Sequence, residues 1–365
     1  MGAPVLPASP STIGVVTRLA VAHATNAGLD AGSFLERVGL TTRQIEDPRA
    51  RIGVANQVAL LDRLAAALDD DLLGLHLAQG FEPGMAGLVY YVMASAPTLR
   101  DVLDRAERFG AVGNEGISLT CSRSEEGVHL RFTTIGFRRA QARHQMEFWT
   151  AGMIRILQHL TATRLQPIEV SFIHARNAGS GRLEELFGCP VRFCATQDGL
   201  TLTHQADRST VLGADPYLHD LLLAYCEEAL AHRQRPQESL RTRIENAIAP
   251  LLPHGRPVAT EIARMLGMSQ RTLSRRLADE GLTFGAVLEE MRRDLALRYL
   301  QDATLPISRI GWLLGFQETG AFTHAFRRWT GRTPTEVRAG GAPLDQLGYG
   351  KSLRQTHPIS SRAEA

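Results

Sequence analysis

One pattern occurs twice near the C-terminus, 48 residues apart. The first copy sets Ala259, Ile262, Ala263 and Leu266 ahead of Gly267. The second sets Ile307, Ile310, Gly311 and Leu314 ahead of Gly315. Apolar or small residues at i, i+3, i+4 and i+7 form one buried stripe on a short helix. A glycine directly after the stripe ends the helix, because glycine enters the left-handed region without steric cost. A second helix follows each glycine. Two helices at a sharp angle, with a small residue where they cross, make a helix-turn-helix. Short basic helices follow both copies, and the arrangement points to DNA. The competing reading is a helical bundle for protein contacts; arginines on the outward face argue against it.

In the first copy Ser269 is placed to cap a helix over Gln270–Asp279, with Leu273 and Leu277 turned inward. The outward face is then Arg271, Ser274 and Arg275, with Gln270 at the exposed N-terminal end. Arginine pairs with guanine O6 and N7, glutamine with adenine, and serine adapts to either. Arg276 lies toward the flank and, with Ser269, is assigned to phosphate. In the second copy the inward pair is Phe322 and Phe326, offset by 49, so its turn is one residue longer. That offset puts Thr319, Gly320, Thr323 and His324 outward. Arg327 and Arg328 lie near the helix C-terminus, where the helix dipole favours cations, and are assigned to phosphate. The second copy is expected to position more than it discriminates. Between the copies, Phe284–Gln301 reads as one amphipathic helix with Phe284, Leu288, Met291, Leu295 and Tyr299 inward. Its length of roughly 27 Å suits two reading helices in successive major grooves of double-stranded DNA, about 34 Å apart.

Net charge is +2, so the chain as a whole is no basic coat. Charge is uneven, however: residues 236–339 carry 15 arginines against 11 carboxylates, an excess where the repeat lies. The organisation read from pattern is a disordered stretch at 1–11, an α+β sensing or dimerisation domain at 12–208, and a helix and linker at 209–239. An all-α domain with two helix-turn-helix motifs joined by a linker helix occupies 240–339, and a disordered tail 340–365. Within the α+β part, Ser33 is placed to cap Phe34–Val38, and Val54, Val58, Leu61, Leu64 and Leu68 form a helical stripe. Gly116–Cys121 and Gly127–Thr134 form a hairpin in which Val128, Leu130 and Phe132 alternate with His129, Arg131 and Thr133. A long helix spans about 141–162. Asp215–Arg233 is a further helix carrying Leu218, Leu221, Leu222, Tyr225 and Leu230.

Cys121, Cys189, Cys194 and Cys226 show no metal-ligand spacing. No signal peptide and no apolar run of spanning length is seen, so a cytoplasmic protein without metal or cofactor is expected. No nucleophilic or phosphate-cradling motif points to an enzyme. Candidates for lining an effector pocket are Tyr90 and Tyr91, the strand residues His129 and Arg131, and Arg143, His144, Glu147 and Trp149 at the start of the long helix. The basic stretch Arg138–Arg143 would suit an acidic effector, but a solvated charged loop is the favoured reading.

The segments ARMLGMSQRTLSRRL and ISRIGWLLGF…AFTHAFRRWTGRTPTEVR resemble the DNA-binding domain of the AraC/XylS transcription regulators, over about 100 residues. The run Phe326–Gly331 followed by Thr333 and Pro334 resembles that family's closing segment. Val258 stands where the family has a capping Ser or Thr, Gly311 replaces Ala, and Gln317 replaces Ser. Gly320 removes a side chain from the second reading helix. The segment GLVYYVMASAPTLRDVLDRAERFG is similar to the N-terminal domain of ornithine- and virulence-type regulators of the family. The resemblance implies a small-molecule effector, activation of nearby genes through RNA polymerase, and a homodimer. A constitutive DNA binder without ligand, or an alkyl-transfer enzyme joined to a DNA-binding module, are the alternatives.

Overall fold

The computed structural model describes residues 9–161, 165–176, 180–233, 238–255 and 257–339. The chain divides into two units, Met1–Asn246 and Ala247–Ala365. The division falls inside the helix Leu240–Ile248.

The first unit is built on a mixed sheet. Strands β1 (Ser11–Thr12) and β2 (Ile52–Gly53) form a small antiparallel pair. The main sheet comprises β3 (Ile117–Ser124), β4 (Gly127–Thr134), β5 (Glu169–Ser171), β6 (Val191–Arg192) and β7 (Asp198–Leu202), in the order β3-β4-β7-β5-β6. Only β5 and β6 run parallel. Ser124 pairs with Gly127, so the hairpin turn is just Glu125 and Glu126, and β3 runs three residues past its expected end. Alternation along β4 does what a half-buried strand requires. Val128, Leu130 and Phe132 are buried, while Arg131 and Thr133 are exposed. Leu99–Gly113 packs against β3 and Arg143–Thr161 against β7 on the apolar side, and Val54–Leu68 packs on Arg143–Thr161 in turn. Arg143–Thr161 buries Met146, Phe148, Ile154, Ile156, Leu157 and Leu160, and Val54–Leu68 buries Val54, Val58, Leu60, Leu61 and Leu64. The α+β and all-helical parts read from pattern are those of the structure.

Several local expectations are corrected. Ser11 is not disordered: it lies in β1, and its N–H and hydroxyl both reach Glu115 Oε2, while residues 1–8 lie outside those described. Asp30, not Ser33, caps the second helix, which begins at Ala31. The Ser33 hydroxyl instead donates back to the Asp30 carbonyl. Arg139 is no solvated loop residue; it is 2% exposed and starts a short 3₁₀ turn. On Pro216–Ala231 the buried residues are His219 and Cys226, whereas Leu218, Leu221 and Tyr225 are exposed. A hydrogen bond of 2.9 Å between the His219 ring and Ser95 Oγ, and Cys226 beside Val92, Phe109 and Val112, fix that rotation. The expected 340–365 tail and the Pro236 linker lie outside the described residues.

In the second unit the helices are Ala259–Met265, Gln270–Asp279, Phe284–Tyr299, Ile307–Leu313, Thr319–Thr330 and Pro334–Ala339. The connecting helix has 16 residues and so spans about 24 Å. Its second half is buried on more than one face, taking in Arg292, Asp294 and Leu297 besides Leu295, while Phe284 and Tyr299 are only half-buried. Arg292 donates from Nε to the Leu314 carbonyl at 2.8 Å and lies over the Phe316 ring at 4.9 Å. Among the described residues no helix is long and apolar enough to cross a membrane.

Gly74 shows how closely the first unit is packed. A β-carbon there would lie 2.1 Å from the His144 carbonyl oxygen, in the backbone of the long helix. Gly74→Ala must therefore push two helices apart, and a loss of about 1–3 kcal/mol is expected from such overpacking. Urea denaturation of the full chain measures it; an unchanged midpoint would contradict the contact.

Candidate nucleic-acid interface and buried charge network

In the first helix-turn-helix, Ile262 and Ala263 on one helix and Leu273 and Leu277 on the next are all buried. Gly267 takes φ +70°, which lets the Met268 N–H reach the Ala263 carbonyl at 2.9 Å and close the first helix. Ser269 then caps the second helix by accepting from the Thr272 N–H. With the leucines inward, Gln270, Arg271, Ser274, Arg275 and Arg276 are all exposed. Gln270 is not idle, since its Oε1 accepts from Thr260 Oγ1 at 2.9 Å. Val258 provides no side-chain cap to the first helix.

The second copy repeats the scaffold. Gly315 has φ +78° and the Phe316 N–H reaches the Gly311 carbonyl at 2.9 Å. Gly311 marks the crossing, where an added β-carbon would sit 3.2 Å from Phe322 Cβ. Helix starts at 259 and 307 differ by 48, but those at 270 and 319 differ by 49, so the second turn holds one more residue. Glu318 stands at the N-cap without a side-chain hydrogen bond. Thr319, Gly320 and His324 are exposed, and Gly320 faces open space. Thr323 is half-buried and donates its hydroxyl to the Thr319 carbonyl. Arg327 and Arg328 are both exposed, and Arg328 pairs with Glu289 of the connecting helix at 2.5 Å. No element of the repeat pattern marks Arg309 and Trp312, yet the guanidinium lies 4.1 Å from the exposed indole.

The eight effector candidates fall in four places of the first unit. Tyr90 and Tyr91 meet edge to face, and Tyr90 lies 6.1 Å from the His159 ring. His159 joins Glu82, Pro83, Arg155 and Gln158 in an open groove of about 300 Å³. Burial, then the neighbouring Tyr91, raises the Tyr90 pKa. His129 is held between Ser124 Oγ and Thr201 Oγ1 at 2.7 and 3.1 Å, with Arg131 exposed on the same strand. Trp149 packs edge-on against Phe81 and Phe148. Arg143, His144 and Glu147 belong to a buried network of charges.

That network runs from the surface inward. Half-exposed Asp71 pairs with Arg143 and Arg176; Arg176 reaches Glu147 Oε1 at 2.6 Å, and so does His174 Nε2 at 2.9 Å. His144 touches the Arg143 guanidinium through Nε2 at 3.3 Å. His174 Nδ1 faces Arg139, whose guanidinium also grips both oxygens of Asp198. Burial pushes the His174 pKa down to about 4, despite the adjoining carboxylate of Glu147. The neutral ring suits its partners: Nε2–H donates to Glu147 while Nδ1 accepts from Arg139. Burial opposes ionisation of Glu147, but the His174 hydrogen bond and the charges of Arg176 and Arg143 hold it well below the usual carboxylate range. Its Oε2 has no hydrogen-bond partner among the described residues. Asp71, Arg139, His174, Arg176 and Asp198 were not found from the sequence. They come from four separate segments, and no local period marks them.

Comparison with known proteins places both units. A family model described as the arabinose-binding domain of AraC transcription regulator, N-terminal, matches residues 28–208. A helix-turn-helix domain model matches residues 262–340. The HTH-type transcriptional regulator VirS of Mycobacterium tuberculosis is 31% identical over 86% of this chain and 92% of its own length. The ornithine utilization regulator of Pseudomonas aeruginosa is 26% identical, over 85% and 91%. The crystal structure of the transcriptional regulator CdpR from Pseudomonas aeruginosa covers 75% of this chain and 91% of that one, at 24% identity and a TM-score of 0.38. The chain belongs to the AraC family of DNA-binding transcriptional regulators.

Proposed function

We propose that this regulator reads its operator mainly through the helix Gln270–Asp279 and activates transcription under control of a small molecule bound by the first unit. The observation that supports the reading face is the joint exposure of Gln270, Arg271, Ser274 and Arg275 on one capped helix. Ser269 and Arg276 flank that face and are assigned to phosphate. The second helix supplies Thr319 and His324, with Gly320 leaving a gap and Thr323 turned to its own backbone. Its role is positioning, with Arg327 on phosphate; Arg328 must leave Glu289 to join it. A duplex crossed in two successive major grooves is the matching partner.

The effector reading rests on the charge network around Glu147 and on the groove at His159. The stacked Arg309 and Trp312 pair is the surface assigned to RNA polymerase. The exposed face Tyr217, Leu218, Leu221 and Tyr225 of Pro216–Ala231 is assigned to a homodimer, since large apolar side chains gathered on one helix face mark an interface. The cytoplasm is where such a regulator meets its DNA.

Arg271→Ala with Arg275→Ala is expected to lose about 1–3 kcal/mol of operator binding per bidentate contact. Discrimination at the contacted bases should fall with it, in anisotropy titrations against single-base operator variants. Arg327→Ala should instead weaken all duplexes alike and flatten the salt dependence by about one counterion. Equal loss of discrimination from both variants would refute the division of labour. Leu221→Asp is expected to turn the dimer into a monomer in sedimentation velocity; an unaltered sedimentation coefficient refutes that interface.

A further inference from the structure

The helix that leads into the second unit begins in the first, and its residues up to Asn246 are clamped there. Glu245, with its side chain 3% exposed, lies between Arg138 Nε at 2.7 Å and Arg241 Nε at 2.9 Å. Asn246 is gripped more specifically. Its Nδ2 donates to the Phe137 carbonyl and to Glu238 Oε1, both at 3.0 Å, and its Oδ1 accepts from the Arg139 N–H at 2.8 Å. Only this amide orientation serves all three partners, because a carbonyl and a carboxylate need donors where the N–H needs an acceptor. Neither Ala nor Asp reproduces it.

Arg139 therefore has two sides. Its side chain sits in the buried network, on Asp198 and His174. Its backbone N–H holds the linker. Asp198 is itself tied to the backbone by the Ile173 N–H at 3.0 Å, so the guanidinium cannot move without disturbing a strand end. A close-packed interior passes such displacements on instead of absorbing them.

We propose that Arg139 couples the charge network to the linker helix, so that a change at Asp71, Arg143, Arg176 or Glu147 reaches Asn246 and the segment entering the DNA-binding unit. This deepens the reading above, on which the first unit controls operator binding. Arg139 and Asn246 act here as positioning residues, and neither is required to touch ligand or DNA.

The test is a double-mutant cycle on the full chain between Asp71→Asn, at the exposed end of the network, and Asn246→Ala, at the linker. Operator affinity is read on a duplex that the wild-type protein selects from a random library. Asp71→Asn is expected to shift affinity about fivefold or more with Asn246 present, the size of a typical coupling between sites. In the Asn246→Ala background the shift should shrink to less than about twofold. Asn246→Asp, which keeps the size and loses both donors, should behave like Asn246→Ala. A shift of equal size in both backgrounds, or none in either, overturns the coupling. Hydrogen exchange reads the same link without DNA: Asp71→Asn should speed exchange of the amides at 240–246, and unchanged protection there overturns the proposal too. Failure of the wild-type protein to enrich any duplex would refute the operator reading instead, leaving the exchange result to decide the coupling.

Discussion

The burial of Arg139 against Asp198 is the interaction on which the first unit turns. Two charges removed from water are costly unless geometry and further hydrogen bonds repay the loss. Here both Asp198 oxygens face the guanidinium, and the Ile173 N–H adds a donor. His174 then has to be neutral, since a protonated ring would lose its acceptor for Arg139. A neutral His174 leaves Glu147 dependent on Arg176 and Arg143 for its counter-charge, and those two arginines share Asp71. Each group fixes the state of the next. A network closed in this way is stiff, and among the described residues Glu147 Oε2 and Arg176 Nε are buried atoms of it without a hydrogen-bond partner. A ligand that offered a donor to Glu147 Oε2 would alter the balance along the whole line.

The second unit shows how one scaffold is kept while its outward face diverges. Both copies close their first helix with the same glycine and the same backbone hydrogen bond across the turn. What differs is where the following helix sends its polar atoms. Gln270–Asp279 leaves its arginines in solvent, whereas Thr319–Thr330 turns Thr323 to its own backbone and Arg328 to Glu289. Larger inward residues, Phe322 and Phe326 in place of Leu273 and Leu277, accompany the small Gly311 at the crossing. Extra volume on one helix is matched by lost volume on its partner. The longer turn fits the same logic, since the second helix enters one residue later.

Periodic features were legible from sequence because burial of one face imposes a period. The helix-turn-helix pair, the alternation along β4 and the Leu273–Leu277 seam all belong to that class. Features decided by pairing between distant segments were not legible. Arg139 looks like any arginine in a basic loop until Asp198, 59 residues on, is placed against it. Pro216–Ala231 has leucines around most of its circumference, so its period could not say which face is inward. The His219 contact with Ser95 decides that, across 124 residues. Capping failed at Ser33 for a local reason: Asp30 lies three residues earlier, and its carboxylate reaches the Gly32 N–H. Inward leucines and phenylalanines leave one outward face, on which Gln270, Arg271, Ser274, Arg275, Thr319 and His324 are exposed while Thr323 is half-buried. The sequence could not show that Thr260, Thr319 and Glu289 engage Gln270, Thr323 and Arg328.

The connecting helix sets the remaining constraint. Sixteen residues span about 24 Å, short of the roughly 34 Å between successive major grooves on one face of B-DNA. Arg292, midway along the connector, ties it to the second turn by holding the Leu314 carbonyl and stacking on Phe316. On the proposed two-groove reading, the missing distance comes from the reach of the two outward helices beyond the connector, or from bending the duplex toward the protein. Bending costs energy that depends on the sequence bent, even at base pairs no side chain touches. A second reading helix poor in base-reading groups can still contribute to specificity by that route, through the phosphates that Arg327 and its neighbours would hold.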